Sequence, residues 1–319
     1  MRFNITFLSL LLIGVLGLNT SFAQQAPMYS SAPFVPLSFN PAYSGVEGYT
    51  RATLLHRSQW LGNTSSFDGN AGLNTQLLML DAPVYRIRSG VGLVIENSSL
   101  PAVNDLSIRA NYAYHLRIKE AKLSFGVNVG MYSRAFDNYQ WRPNENEDWM
   151  TSGQVSQVLP DMGVGIFFQS QKFYGGLAYN HLLDASFDFG FTSQLRDKIP
   201  TALNVFMGYD YEFNYDLIIT PSLFFHTDFA IYTAELAVRG TYKDKMWGGM
   251  NFRWSESVGL LLGYSLLKDN SLKLGYAFDF VVIGQGAKAA TSHEFMISYA
   301  LPISGDINKK IIRTPRFRH

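Results

Sequence analysis

Histidine, carboxylate and arginine are the residue types through which this chain could do chemistry, and their spacing speaks against most of it. His56, His115, His181, His226 and His293 are widely separated, and no pair shows His-x-x-x-His or His-Glu-x-x-His spacing for a metal. No Gly-x-Ser-x-Gly turn marks a serine nucleophile, so a Ser/His/Asp set would have to assemble across the fold without a local signature. The chain has no cysteine, which excludes disulfides, thiolate metal sites and thiol catalysis. Gly163-Val164-Gly165 and Gly284-Gln285-Gly286 lack the third glycine of a nucleotide-binding loop. The run Asn144-Glu145-Asn146-Glu147-Asp148 invites calcium, but the EF-hand order with its central glycine is missing. Lying between Trp141 and Trp149, the run suits recognition of a protein or glycan, or a merely solvated loop. The expectation is a protein that is not an enzyme, with no catalytic residue, cofactor or metal.

The elements that carry the charged residues are strands. Between 106 and 117, Leu106, Ile108, Ala110, Tyr112, Tyr114 and Leu116 fall on one face, while Ser107, Arg109, Asn111, His115 and Arg117 fall on the other. A helix would scatter these side chains, whereas a period of two sorts them. A polar turn at 119–122 follows, and then Leu123, Phe125, Val127, Val129 and Met131 alternate with Ser124, Gly126, Asn128, Gly130 and Tyr132. That pattern predicts a hairpin. Similar segments span 50–60, 70–80, 90–98, 161–169, 173–182, 202–213, 217–225, 231–242, 246–254, 258–266, 272–281 and 292–301, giving about fourteen strands. Arg51, Arg57, Arg109, Arg117, Glu235, Arg239, Arg253, Lys273 and Asp279 all take the polar side. Two readings stay open: a charged lumen that selects a passenger or grips an inserted peptide, or a satisfied Arg–carboxylate network that fills and closes a small barrel.

Composition points to a membrane. The chain of 319 residues is 47% hydrophobic, 15% aromatic and 16% charged, against roughly 25% charged in ordinary soluble chains. A basic start, an apolar run over 5–18 and Ser21-Phe22-Ala23 describe a signal peptide cleaved after Ala23. That apolar run is shorter than the ~20 residues a spanning helix needs. Beyond it no apolar stretch is long enough to span. With 27 glycines and alternating segments, an all-β transmembrane barrel fits, antiparallel and up-and-down, its polar face toward water inside. Short links at 119–122, 169–172, 243–245 and 268–270 alternate with long ones at 135–159, 183–200 and 283–291. Those at 81–88 and 255–257 break the rule. A soluble sandwich or propeller has no reason for such alternation. The net charge of +1 gives no case for nucleic acid. The expected parts are signal peptide 1–23, leader and turn 24–48, barrel 49–301 and a basic periplasmic tail 302–319. The leader, rich in proline and aromatics, either folds into the barrel mouth or lumen as part of a docking surface or stays disordered.

The leader ends at Asn40-Pro41-Ala42-Tyr43-Ser44-Gly45, and the first strand ends at Arg57-Ser58-Gln59-Trp60. Near the other end stand Ser292-His293-Glu294-Phe295-Met296-Ile297-Ser298-Tyr299 and the basic Arg313-Thr314-Pro315-Arg316-Phe317-Arg318. In these motifs the chain resembles the PorP/SprF family of Bacteroidetes outer-membrane proteins, tied to type IX secretion and gliding motility. The resemblance implies an outer-membrane barrel with both termini periplasmic. Its partners would be the lipid bilayer, an exported type IX substrate or gliding adhesin with a type B C-terminal signal, and periplasmic secretion machinery. It makes Asn40, Pro41, Tyr43, Arg57, Gln59 and Trp60 the residues to test as turn and lumen anchors. FadL-type barrels also carry an Asn-Pro-Ala turn, so a FadL-like or porin-like transporter of small solutes is the alternative.

Overall fold

Alternation of apolar and polar residues with a period of two produces long strands, and the computed structural model closes them on one another. It describes residues 28–62, 64–65, 69–70, 72–100, 103–137, 154–189, 197–267, 270–283 and 289–301. The strands are β1 (Arg51–Gln59), β2 (Leu73–Val84), β3 (Ser89–Leu100), β4 (Val103–Ile118), β5 (Ala121–Asp137), β6 (Gln154–Gln169) and β7 (Phe173–Asn180). They continue as β8 (Ala202–Tyr209), β9 (Leu217–Thr227), β10 (Tyr232–Tyr242), β11 (Met246–Arg253), β12 (Ser257–Leu266), β13 (Leu272–Val281) and β14 (Thr291–Ala300). Each pairs antiparallel with its sequence neighbours, and β14 returns to β1 with Arg51 opposite Ala300 and Ser58 opposite His293. The result is a closed up-and-down barrel of fourteen strands, as the alternation predicts.

Strand ends differ from the sequence reading for identifiable reasons. β2 runs through Asp81 and Pro83 to Val84, with Pro83 opposite Gly90, so the link read at 81–88 contracts to residues 85–88. A carboxylate and a proline looked like a loop because neither belongs in an ordinary strand. β5 and β6 extend to 17 and 16 residues, which shortens the connection read at 135–159 to 138–153. On the rim opposite the short turns, the links at 101–102, 228–231 and 254–256 are also short. Loop length is therefore sorted by side less strictly than the sequence suggested.

The outer face is apolar and unpaired with protein. Val129 is 53% exposed and Leu262 61% exposed, as lipid-facing positions would be in the protein alone. Tyr114, Phe125, Phe173, Tyr209, Tyr242, Tyr264 and Tyr299 ring the short-turn end, while Phe229, Tyr232, Phe252, Trp254 and Phe280 ring the other. These are the two aromatic girdles of an outer-membrane barrel. Val129 lies at the middle of β5, so Val129→Arg is expected to cost about 2–4 kcal/mol of folding into a bilayer. Urea titration of folding into lipid vesicles measures it, and an unchanged midpoint would contradict lipid contact at that position.

The interior corrects one expectation. The inward faces do not enclose a column of water, because residues 28–48 occupy the lumen. Three 3-10 turns, Ala32–Phe34, Pro36–Ser38 and Pro41–Tyr43, fold this stretch compactly. Tyr29, Val35 and Leu37 pack with Leu55, Leu77, Met79, Val94, Trp247 and Met296 of the wall. Met28, Ala42 and Val46 pack with Phe167, Phe206 and Phe224. The apolar core of this protein sits inside the barrel, between leader and wall.

Candidate functional site: a leader held in the lumen

The leader is gripped at two levels. The lower grip lies toward the short-turn rim and begins with Asn40. A residue before proline is kept out of the helical region, and Asn40 is extended at φ −136° and ψ 112°. Its Oδ1 accepts from the Ala42 N–H at 2.9 Å, capping the turn Pro41–Tyr43. Its Nδ2 donates to the Ile166 carbonyl at 3.0 Å on β6 and to that of Leu177 at 3.4 Å on β7. The wall comes close here because it carries glycines. A Cβ on Gly126 would overlap the Ala42 backbone, one on Gly165 the Asn40 amide, and one on Gly90 the Ser44 carbonyl. Gly45, at φ +68°, lets the chain turn out of this bed, and its N–H donates to Asp81 at 2.6 Å. Lys122 adds a 2.7 Å bond to the Val46 carbonyl.

Tyr43 closes the lower grip. Its ring meets Phe167 edge-on at 5.1 Å, and its hydroxyl donates to Glu47 at 2.7 Å. Arg51 reaches both oxygens of Glu47 at 2.6 Å. Burial works against the Glu47 carboxylate, but Arg51 and Lys273 hold its pKa below the usual value. The gap left beside Phe34, Tyr43, Glu47 and Arg51 has room for about one water molecule.

The upper grip is electrostatic. Both oxygens of Glu294 accept successive backbone N–H groups, Ser30 at 3.1 Å and Ser31 at 2.8 Å. The Ser30 hydroxyl donates to Asp279 at 2.5 Å. Arg57, 2% exposed, bridges the group by donating to Ser30 Oγ at 3.0 Å, Glu294 at 3.1 Å and Asp279 at 2.8 Å. Beside it Arg253 pairs with Glu235 at 2.7 Å and lies 3.7 Å from Glu256. Between the two grips Phe34 stacks obliquely on Trp247 at 5.0 Å with the Arg239 guanidinium 4.8 Å above its ring. Phe39 touches Tyr29 and Phe224.

The structure sorts the sequence candidates. Asn40, Pro41 and Tyr43 meet in the lower grip, and Arg57 is the hub of the upper one. Gln59 is buried on the same inward face as Arg57. Trp60 follows β1 at φ 59°, its backbone N–H donating to Ser292. Trp141, Trp149 and the run 144–148 lie outside the described residues, as do 1–27 and 302–319. The five histidines within the described residues do not converge. His115 bonds Ser124, His181 Asp161, His226 Asn204 and His293 Tyr276, while exposed His56 lies near Ser58. Among the described residues no cluster of His, Asp or Glu is arranged to hold a metal. Arg117 is exposed on the short-turn rim, outside the lumen network. The two open readings of the charged face merge, since the Arg57 network closes the interior by gripping a peptide, the protein's own leader.

Several residues of the two grips escaped the sequence. Glu294 shows inward parity between Ser292 and Met296, which was the available signal. Ser30, Ser31 and Asp81 had none, because the bonds that make them part of the grips, to Glu294 and from Gly45, span 264, 263 and 36 positions.

The sequence model of the type IX secretion system membrane protein PorP/SprF matches residues 21–299. The chain belongs to the PorP/SprF family. It is thus an outer-membrane β-barrel protein of type IX secretion, and the leader with its Asn-Pro-Ala-Tyr turn lies inside the matched region. Among curated proteins none matches the chain. Solved structures similar to this PorP/SprF barrel include the Ralstonia pickettii toluene transporter TbuX, at 12% identity and TM-score 0.49 over 86% of this chain and 94% of that one. A Pseudomonas aeruginosa FadL homologue matches at 15% identity and 0.45 over 87% and 95%. The Acinetobacter baumannii outer membrane protein Omp33 matches at 7% and 0.46 over 79% and 98%.

Proposed function

We propose that this PorP/SprF barrel works by binding rather than catalysis. It supports type IX secretion and surface attachment of a large exported protein of the gliding-adhesin kind, bearing a type B C-terminal signal. The barrel is anchored by its apolar belt, and its loops or lumen hold the exported protein's terminal domain. The loop carrying Trp141 and Trp149 is the first candidate contact. The short turns, the end of the leader and the basic tail face the periplasm and dock secretion machinery there. The observation that carries this reading is the filled lumen. A side wall that seats 21 residues of its own chain is built to hold polypeptide, and a packed interior is a poor standing pore for small solutes.

The competing reading, a FadL-like or porin-like transporter, predicts something different. Purified protein in a planar bilayer is expected to stay closed, and protein isolated from its native outer membrane to bring an exported protein with it. A steady open conductance without a co-purifying partner would decide for transport.

A further inference from the structure

The two grips differ in kind. The lower one is a steric interlock, with backbone pressed into places where the wall has no side chains. The upper one holds residues 28–39 through apolar packing and through hydrogen bonds from two successive main-chain N–H groups of a turn to a carboxylate, which turns of many sequences can make. The wall offers more than this resident uses. Among the described residues here, Glu235, Glu256, Asp279 and Glu294 are buried carboxylates set against Arg57, Arg253 and the Arg239 guanidinium over Phe34, with Arg109 paired to Glu96, which leaves one carboxylate in excess. Residues 24–50 contain no lysine or arginine, so the leader brings no cation to the imbalance. Asp279 Oδ1, Ser257 Oγ, both polar atoms of the Asn251 amide and Arg57 Nε are buried on this wall without a hydrogen-bond partner, and Asp279 is 1% exposed. A buried carboxylate oxygen left unpaired is costly, and a charged donor is what relieves it.

We propose that the upper lumen is a binding chamber for a basic polypeptide segment that enters in a turn, and that residues 28–39 are its resident, displaceable occupant. An incoming segment repeats the two N–H contacts to Glu294 and places a lysine or arginine toward Asp279 and Glu235. The leader stays tethered by the glycine bed beneath it and returns when the segment leaves. This deepens the reading above by naming the chemistry of the bound segment, and it rests on that reading for the segment's source, an exported protein.

The test uses full-length protein in detergent micelles and fluorescent peptides of residues 28–39, unaltered or carrying S31K or S31E. A Ser30→Asp protein sets a carboxylate against Glu294 and Asp279 and so releases the resident. The S31K peptide is expected to bind it at least tenfold tighter than it binds wild-type protein, and tenfold tighter than the S31E peptide binds. Adding Glu235→Gln and Glu294→Gln is expected to abolish the preference. Heat-modifiable gel mobility confirms that each variant is a folded barrel. Should Ser30→Asp fail to assemble, a photo-cross-linkable S31K peptide on wild-type protein replaces it, with cross-links to β10–β14 as the expected result. Equal binding of basic and acidic peptides, a preference that survives the two substitutions, or cross-links only to exposed turns would overturn the chamber. If peptides fail but an exported protein still co-purifies, the chamber falls and the loops keep the binding role. If both fail, the secretion reading falls with it.

Discussion

Arg57→Met is expected to destabilise the barrel by about 3–5 kcal/mol, the range seen when one partner of a buried ion pair is removed. Arg57 is enclosed, and its guanidinium serves Asp279, Glu294 and the Ser30 hydroxyl together. Without it, two carboxylates face each other inside the wall, and the neighbouring Arg253 is already committed to Glu235 and Glu256. The leader loses its upper grip at the same moment, since Glu294 can no longer hold both its charge and the Ser30–Ser31 amides in a dry setting. Two measurements check this: unfolding in urea followed by gel mobility, and protease cleavage within residues 28–39. A triple variant that adds Asp279→Asn and Glu294→Gln is expected to regain part of the loss, which separates charge from packing. A loss under ~1 kcal/mol would mean that water solvates the cluster, as at exposed pairs.

Gly126→Val is expected to eject the lower part of the leader. The Cβ would occupy the place of the Ala42 backbone, and neither the strand nor the 3-10 turn has a flexible side chain that could yield. Overpacking a well-filled interior costs about 1–3 kcal/mol, and here displacement of residues 40–45 is the available relief. The barrel itself should survive, because each strand keeps its own antiparallel ladder with both neighbours. The expected result is a folded barrel with a steady conductance and a leader open to protease, whereas wild type is closed and protected. Gly275→Val is the control, since a Cβ there meets mainly the flexible Met296 side chain at 3.1 Å. A Gly126→Val barrel that remained closed and protected would show that the glycine bed does not seat the leader.

Much of this was legible in the chain itself. Strict alternation in 106–117 and 123–132 gave β4 and β5 their faces, because a strand sorts side chains by parity whatever lies on either side. Asn40-Pro41-Ala42-Tyr43 announced a turn through local backbone preference, and Arg57 stood out as a charge on an inward face. Other features could not be read. Gly126 and Gly165 looked like ordinary strand glycines, and their importance depends on what presses against them. Glu294 stood only within the motif 292–299, although it holds Ser30 and Ser31 across 264 and 263 positions. Asp81 looked like a loop residue until Gly45 supplied a donor.

By itself the sequence determined the strands, their inward and outward faces, the barrel and its family, because these follow from periodicity and from motifs short enough to be local. Only the tertiary structure decided that the interior is occupied by the leader and which wall residues hold it. That outcome depends on contacts between segments far apart in the chain, formed once closure brings β1, β13 and β14 around Ser30 and β3, β5 and β6 around residues 40–45.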